Sequence, residues 1–294
     1  MKSCISTYSF ERLYQDGGFT RFDAIDKTKE YGCQGVELVL DDKTPDGSTP
    51  MEYAKALYAH AKEQGLEVPI YTTGANFFVK EPEKELERLC RHIDIAAECK
   101  IPLLRHDVAW GYYEGYTGIK SYKKVIEAVA PFVRQAAEYA RERGVKTCSE
   151  NHGYLLQDSA RMLELFAVDR PNYGFLCDMG NFTVVDEDCA TAVSALSDYI
   201  VHVHAKDMLV RSGMNFDPGR GYNLSRGGNY WRGTIFGHGN VPTFQILSAI
   251  RKSGYDGYVS LEFEGMEPVL EGVEIGTQNL QHMIKVIGEG QRYV

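Results

Sequence analysis

The sequence contains no C-x-x-C pair, and its seven cysteines are scattered at positions 4, 33, 90, 99, 148, 177 and 189. An odd count without paired spacing is the pattern of reduced, mostly buried thiols in a cytoplasmic protein. A basic balance is missing too: 32 Lys and Arg face 41 Asp and Glu, a formal net charge of −9. Such a chain lacks the electrostatic footprint that grips nucleic-acid phosphates, which argues against a nucleic-acid partner; a small anion held by a few local arginines is not excluded. No apolar run approaches the length of a membrane span, and the opening MKSCISTYSF has no signal-peptide core. The phosphate-cradling order G-x-x-x-x-G-K-[ST] is absent. No compositional break or sequence period divides the chain, so residues 1–294 are expected to form one domain.

What is present is a strict alternation. Short apolar runs at 3–9, 35–40, 67–71, 102–106, 145–150, 173–178, 199–204 and 258–262 read as strands. Longer amphipathic stretches at 22–32, 51–65, 81–100, 119–144, 158–168, 187–196, 241–253 and 272–287 read as helices, the fifth with Asp158 as N-cap. Strand–helix units in series imply a parallel sheet, and eight of them favour closure. The expected fold is a single (β/α)8 TIM barrel with a long loop, roughly 207–240, after the seventh strand and an extra helix at the C-terminus.

Four of these strands end on metal-ligand residue types: Glu150 in VKTCSE, Asp178 in YGFLCD, His204 in IVHVHAKD and Glu262 in GYVSLEFEG. Strand ends converge at the C-terminal mouth of such a barrel, where active sites lie. Three carboxylates and one imidazole suit a divalent cation such as Mn²⁺, Mg²⁺, Co²⁺ or Zn²⁺. A cation of that kind polarises the carbonyl of a chelating sugar and favours an enediolate. Glu150 and Glu262 are then the candidate bases, on strands that face each other across the mouth.

The strings SENHG, CDMGNF, HVHAKD, RGTIFGHGNVP and GYDGYVSLEFEG resemble the xylose-isomerase-like barrel superfamily of sugar (phosphate) isomerases and epimerases. The resemblance covers nearly the full length and is densest after Glu150. It implies that Glu150, Asp178, His204 and Glu262 bind a divalent cation, commonly Mn²⁺, and that the two glutamates exchange protons with substrate. It selects His204 over His202 and Glu262 over Glu264. Free-ketohexose 3-epimerases of that superfamily carry a His and a Glu where this chain has Asn181 and Leu156, so their pocket is not reproduced. Its endonucleases need extra histidines and a basic surface, whereas this chain has eight histidines and is acidic.

Further candidates surround these. His152 is a possible acid/base. His106 in LLRHD, Glu37 in GVELV, Lys206, Arg211 and Trp110 are candidate substrate contacts. Lys206 and Asp207 are also expected to orient the histidine ligand. The long loop carries Arg211, Arg220, Arg226 and Arg232, of which one is expected to be functional. Trp110, Tyr112, Tyr113 and Tyr116 offer rings to a sugar, an aglycone or another subunit.

The expected function is thus a divalent-metal-dependent epimerase or isomerase of a keto-sugar or sugar derivative, with Glu150, Glu262 and His152 catalytic. The alternative is a metal-dependent lyase or dehydratase on a 3-oxo-glycoside or inosose-like substrate, including the C-glycoside-cleaving kind; a non-catalytic sugar- or metal-binding barrel is the third class. The expected partners are a small sugar and either further copies of the chain or a small partner subunit.

Overall fold

Alternation along short strands decides which side chains enter the barrel and which meet the helices. The structure, a computed structural model, describes residues 1–15, 17–167 and 172–290. In chain order its elements begin with β1 (Lys2–Ser6), α1 (Glu11–Gln15), α2 (Arg21–Glu30), β2 (Gly35–Val39), α3 (Pro50–Glu63), β3 (Ile70–Thr72) and α4 (Pro82–Glu98). They continue with β4 (Leu103–Arg105), α5 (Tyr122–Arg141), β5 (Lys146–Glu150), α6 (Ser159–Phe166), β6 (Tyr173–Asp178), α7 (Cys189–Leu196) and β7 (Ile200–Ala205). The chain then forms β8 (Asp207–Arg211), β9 (Asn223–Leu224), β10 (Tyr230–Thr234), α8 (Thr243–Lys252), β11 (Tyr258–Leu261) and α9 (Val269–Gly288).

The eight parallel strands close in the order β1-β11-β7-β6-β5-β4-β3-β2, and β2 pairs back onto β1. This is the expected (β/α)8 barrel, ringed by α2 to α9. The helix at the C-terminus belongs to the eighth unit; the helix additional to the eight is the short α1. Sequence signals place the helix starts. Thr20 with Asp23, and Thr49 with Glu52, form reciprocal capping boxes, and Asp158 accepts from the Arg161 N–H as expected. Val168, the expected last residue of that fifth barrel helix, lies outside the described residues.

Two strand boundaries move for identifiable reasons. The first strand stops at Ser6 because the chain turns into a short 3₁₀ helix, Thr7–Phe10. Ser9 there accepts from the Phe263 N–H and donates to the Leu261 carbonyl, binding the turn to the end of β11. The third strand begins late, at Ile70, since Pro69 has no N–H for a ladder.

The long loop expected after the seventh strand is largely folded: β8, β10 and β9 form a separate three-stranded antiparallel sheet. Asp207 ties its ends together, accepting from the backbone N–H of Met208, Gly237, Gly239 and Val241 at 2.8–3.2 Å. That role replaces the expected one of orienting the histidine.

The core lies mainly between barrel and helices, where Leu38, Tyr71, Phe77, Phe175 and Phe236 are buried. Each such side chain contributes about 1.5–3 kcal/mol by burial, which allows the barrel interior to hold costly polar groups. Inside the barrel, Ile70, Cys148 and Leu176 form a small apolar plug with Leu103 and Val201. One inward position further along their strands lie Thr72, Glu150, Asp178 and Arg105, so the plug is the floor of a polar mouth.

Candidate metal centre and its surroundings

The carboxyl and imidazole groups of Glu150, Asp178, His204 and Glu262 converge, with one ligand atom of each lying within 4.8 Å of the others. Asp178 and His204 stand level on neighbouring strands, and Glu150 and Glu262 follow on either side. All four are at most 9% exposed. Three of them aim a buried atom without a hydrogen bond into the shared space: Asp178 Oδ2, His204 Nδ1 and Glu262 Oε2. Buried polar atoms are rarely without a hydrogen bond, so three at one point suit a candidate cation site, two of them, Asp178 Oδ2 and Glu262 Oε2, also lying at ion-pair distance from the Lys206 ammonium.

Every candidate ligand is held from behind. His204 Nε2–H donates to Glu37 Oε2 at 2.9 Å, which leaves Nδ1 facing the cluster, 3.4 Å from Glu262 Oε2. Glu37 is wholly buried and also accepts from the Thr72 hydroxyl at 2.7 Å. The expectation that Glu37 contacts substrate is therefore corrected: it is the positioning partner of His204, one level below the mouth. His202, the rejected alternative, points to the same depth and bonds Ser260 Oγ at 2.7 Å.

Asp178 Oδ1 accepts from the N–H groups of Gly180 and Asn181, at 2.8 and 2.9 Å, which turns Oδ2 toward the cluster. Glycine is required at 180: a Cβ there would sit 2.9 Å from the Lys206 carbonyl oxygen. Asn151 exchanges two hydrogen bonds with the Asp178 backbone and so locks the ends of β5 and β6 together. Asn181 donates to Glu150 Oε1 at 2.9 Å and lies 3.3 Å from Lys206 Nζ. Leu156 is buried away from the cavity.

Two permanent cations balance part of the acid. Arg105 Nη2 lies 2.6 Å from Glu150 Oε2 and 2.9 Å from Asp107 Oδ1. Lys206 Nζ lies 2.6 Å from Glu262 Oε2, 3.0 Å from Asp178 Oδ2 and 3.3 Å from Glu264 Oε2. The first two are ion pairs, so the Lys206 ammonium already neutralises part of the charge on both oxygens. Arg105 and Lys206 thus face Asp107, Glu150, Asp178, Glu262 and Glu264, a clear excess of carboxylate, while Glu37 is met by His202 and His204.

Burial raises the Glu150 carboxyl, but Arg105 and His204 outweigh it and hold the group well below its ordinary value. Burial likewise opposes ionisation of Glu262, yet Lys206 and His204 bring it down to about 2. Asp178 goes the other way: burial, with Glu150 and Glu262 nearby, pushes it up to about 7 against the pull of Lys206.

His152 lines the cavity beside the cluster. Its Nδ1 bonds Asp107 Oδ1 at 2.9 Å, and its side chain remains 46% exposed. Asp107 also receives Arg105 Nη1 on its other oxygen at 3.1 Å, so it joins His152 to the arginine that holds Glu150. Trp110 stands at the rim, half exposed, against Gly74, a residue of the cavity wall.

Three other expectations are corrected. His106 does not reach the mouth. It follows the inward Arg105, so alternation sends its ring outward against Phe77 and Tyr173. There burial depresses its pKa to about 4. Arg211 ends β8 beside the Tyr222 hydroxyl and lies outside the cavity lining. Of the other loop arginines, Arg226 is spent on Asp158 Oδ2 at 2.5 Å, Arg220 is exposed, and Arg232 lines a neighbouring cavity. Tyr112, Tyr113 and Tyr116 pack around Phe78 and are not among the cavity wall. Lys206 is brought into the cluster itself.

Arg105, Asp107 and Tyr8 are the site residues that sequence reasoning passed over. Arg105 lies two residues after Leu103, which the structure turns inward, so alternation turns Arg105 inward too.

Comparison with known proteins follows the same lines. The profile of the xylose isomerase-like TIM barrel family matches residues 25–286. An inosose dehydratase of Lacticaseibacillus casei is 29% identical over 142 residues, and the match spans 47% of this chain and 47% of that protein. The chain thus matches about half the length of that relative. The rhizopine catabolism protein MocC of Rhizobium meliloti is 24% identical over 298 residues, 96% of this chain and 87% of that one. Among solved structures, the 3-keto-D-glucoside 4-epimerase YcjR from E. coli superposes with a TM-score of 0.69 at 18% identity, covering 96% of this chain and 99% of that one. At such identity the likeness is one of fold. No helix among the described residues is long and apolar enough to cross a membrane.

Proposed function

We propose, for a chain that belongs to the xylose isomerase-like TIM barrel family, that it is an enzyme exchanging a proton beside the carbonyl of a keto-sugar or sugar derivative, as an epimerase or isomerase. The observation that carries this reading is the convergence of Asp178 Oδ2, His204 Nδ1 and Glu262 Oε2, buried and without a hydrogen bond, on Glu150. These four residues would hold one divalent cation, with Mn²⁺ the first choice and Mg²⁺, Co²⁺ or Zn²⁺ as alternatives. When bound, such a cation supplies Lewis-acid polarisation of the substrate carbonyl.

The chain's own residues do the remaining work. Arg105 and Lys206 keep Glu150 and Glu262 ionised, which is the state a base needs before it takes a proton. β5 and β11 are separated by β6 and β7 in the ring, so the two glutamates approach the mouth from different sides. One takes the proton from the carbon and the other returns one, which supports epimerisation. Glu37 holds His204, and Asn151 holds Asp178; both positions are independent of substrate. The oxygen-rich lining, with Thr72, Thr73 and Lys206, suits a polyhydroxylated ring.

A second reading rests on a separate observation, the Asp107–His152 pair at the edge of the same cavity. A half-exposed imidazolium steadied by a buried carboxylate is placed to protonate a departing oxygen. Proton abstraction would then end in elimination, a lyase or dehydratase reaction like that named for the inosose dehydratase relative.

Metal analysis and turnover in D₂O test both readings. Protein that carries about one divalent ion, loses activity with a chelator and returns deuterated sugar supports the first. Release of a leaving group with an unsaturated product supports the second. Full activity in a Glu150→Gln variant that retains metal would overturn the role of Glu150.

A further inference from the structure

The cavity above the cluster measures about 140 Å³, small beside the roughly 300–1,000 Å³ of typical ligand pockets. A second cavity of about 390 Å³ adjoins it, and Tyr8 and Glu264 line both. Its far wall comes from the sheet inserted after β7, through Asn223, Trp231 and Arg232, and its floor from Phe263 and Met266. Barrel and insertion therefore enclose it jointly.

We propose that this second cavity receives a neutral ring attached to the reacting sugar, so that the substrate is a glycoside or similar two-ring conjugate and not a free monosaccharide or a sugar phosphate. The inference rests on the keto-sugar reading for the first ring. Three observations carry it.

The first is size: the cavity over the cluster is too small for an ordinary ligand, whereas the cavity beside it has by itself the volume of an ordinary ligand pocket. The second is the wall: Tyr8, Trp231 and Met266 are all partly exposed there, the kind of surface on which a sugar or aromatic ring stacks. The third is charge. Arg12 and Arg232 are matched by Glu11 and Glu264 in the same lining. Both guanidiniums are already engaged: Arg12 Nη2 donates to the Glu267 carbonyl at 2.6 Å, and Arg232 Nη1 lies 3.7 Å from Glu267 Oε1. Arg105, the arginine of the first cavity, is spent on Glu150 and Asp107. Arg12 is bonded only to backbone carbonyls, so what disfavours a phosphate is the balance of the lining, in which the carboxylates of Glu11 and Glu264 offset the two guanidiniums.

Equilibrium binding to the metal-loaded full chain tests this with three probes: 3-oxo-D-glucose, its phenyl β-glycoside and its 6-phosphate. The phenyl glycoside is expected to bind about tenfold more tightly than the free sugar, and the phosphate no more tightly than the free sugar. Trp231→Ala removes a wall and Asn223→Trp fills the cavity; each should shrink the phenyl preference to about twofold or less. Equal binding of free sugar and phenyl glycoside, a preference that survives both variants, tightest binding by the phosphate, or no binding by any probe would overturn the proposal. A phenyl preference that disappears in both variants but is indifferent to chelator would sustain the second cavity and sink the metal reading, so the two failures are separable.

Discussion

The mouth of the barrel and the sheet inserted after β7 are built on opposite terms. In the mouth, Glu150, Asp178, His204 and Glu262 are at most 9% exposed, and each is steadied by a second buried or nearly buried group. In the insertion, Met214 and Phe216 are 97% and 95% exposed, and the sheet is moored at a few points. Asp207 joins its two ends, Arg226 reaches Asp158, and Asp186 accepts from Ser225, Gly227 and Asn229. Over-determined rotamers suit groups that would hold a cation in one geometry, as proposed, whereas a lightly moored sheet suits a wall that would adapt to a ring attached to the reacting sugar.

The sharpest test of that contrast is Glu150→Gln. It keeps the shape of the side chain but removes a base and a ligand charge, and kcat should fall by about 10²–10⁴-fold with little change in fold. Steady-state kinetics with metal content measured alongside checks this; a loss under threefold would break the contrast at its centre. Glu37→Gln acts one shell further out. It weakens the hold on His204 Nε2, and metal affinity should drop about 10–100-fold, read by competition with a chromogenic chelator. Unchanged affinity would show that His204 is oriented by packing alone.

Asp107→Asn should be milder for proton exchange and harsher for elimination. By removing the charge beside His152 it is expected to slow release of a leaving group by about 10²-fold while deuterium exchange falls far less. Equal losses in both would place Asp107 on the Arg105–Glu150 side of the site instead.

The smallest effect is expected in the insertion. Asp186→Asn should cost about 1 kcal/mol of local stability or less, since the residue is exposed, and should raise KM while sparing kcat. Burial raises the Asp186 carboxyl, but hydrogen bonds from Ser225, Asn229 and Gly227 outweigh it and keep it below its ordinary value. Its contribution is therefore complete above the unfolded value and disappears only as pH falls through the lowered folded value. Protection from hydrogen exchange over residues 223–234, corrected for the intrinsic pH dependence of the amide rate, should be constant through neutral pH and fall only in acid; a fall near neutrality would contradict the mooring.

Much of the barrel was legible because strand and helix periods are local properties. The eight units, the Asp158 cap and the four candidate ligands at strand ends follow from residues close in sequence. The errors have a common origin. In the three-residue strand Leu103–Arg105 the period is too short to say whether Arg105 or His106 faces inward; the barrel wall answers by placing Phe77 and Tyr173 around the histidine. Residues 207–240 read as loop because their glycines mark turns, while the pairing of β8 with β10 is set by contact between segments some twenty residues apart.

By itself, then, the sequence determined the order of strands and helices, the identity of the carboxylates at strand ends and the acid excess of the chain, all carried by spacing and composition. Only the tertiary structure decided their partners. Glu37 and His204 are 167 residues apart and meet because β2 and β7 send their inward side chains to the same depth of a closed ring. Arg105 finds Glu150 on the neighbouring strand, and Lys206 finds Asp178 and Glu262 on either side of its own. A period of two residues says which face a side chain takes; barrel closure and stagger say what it meets there.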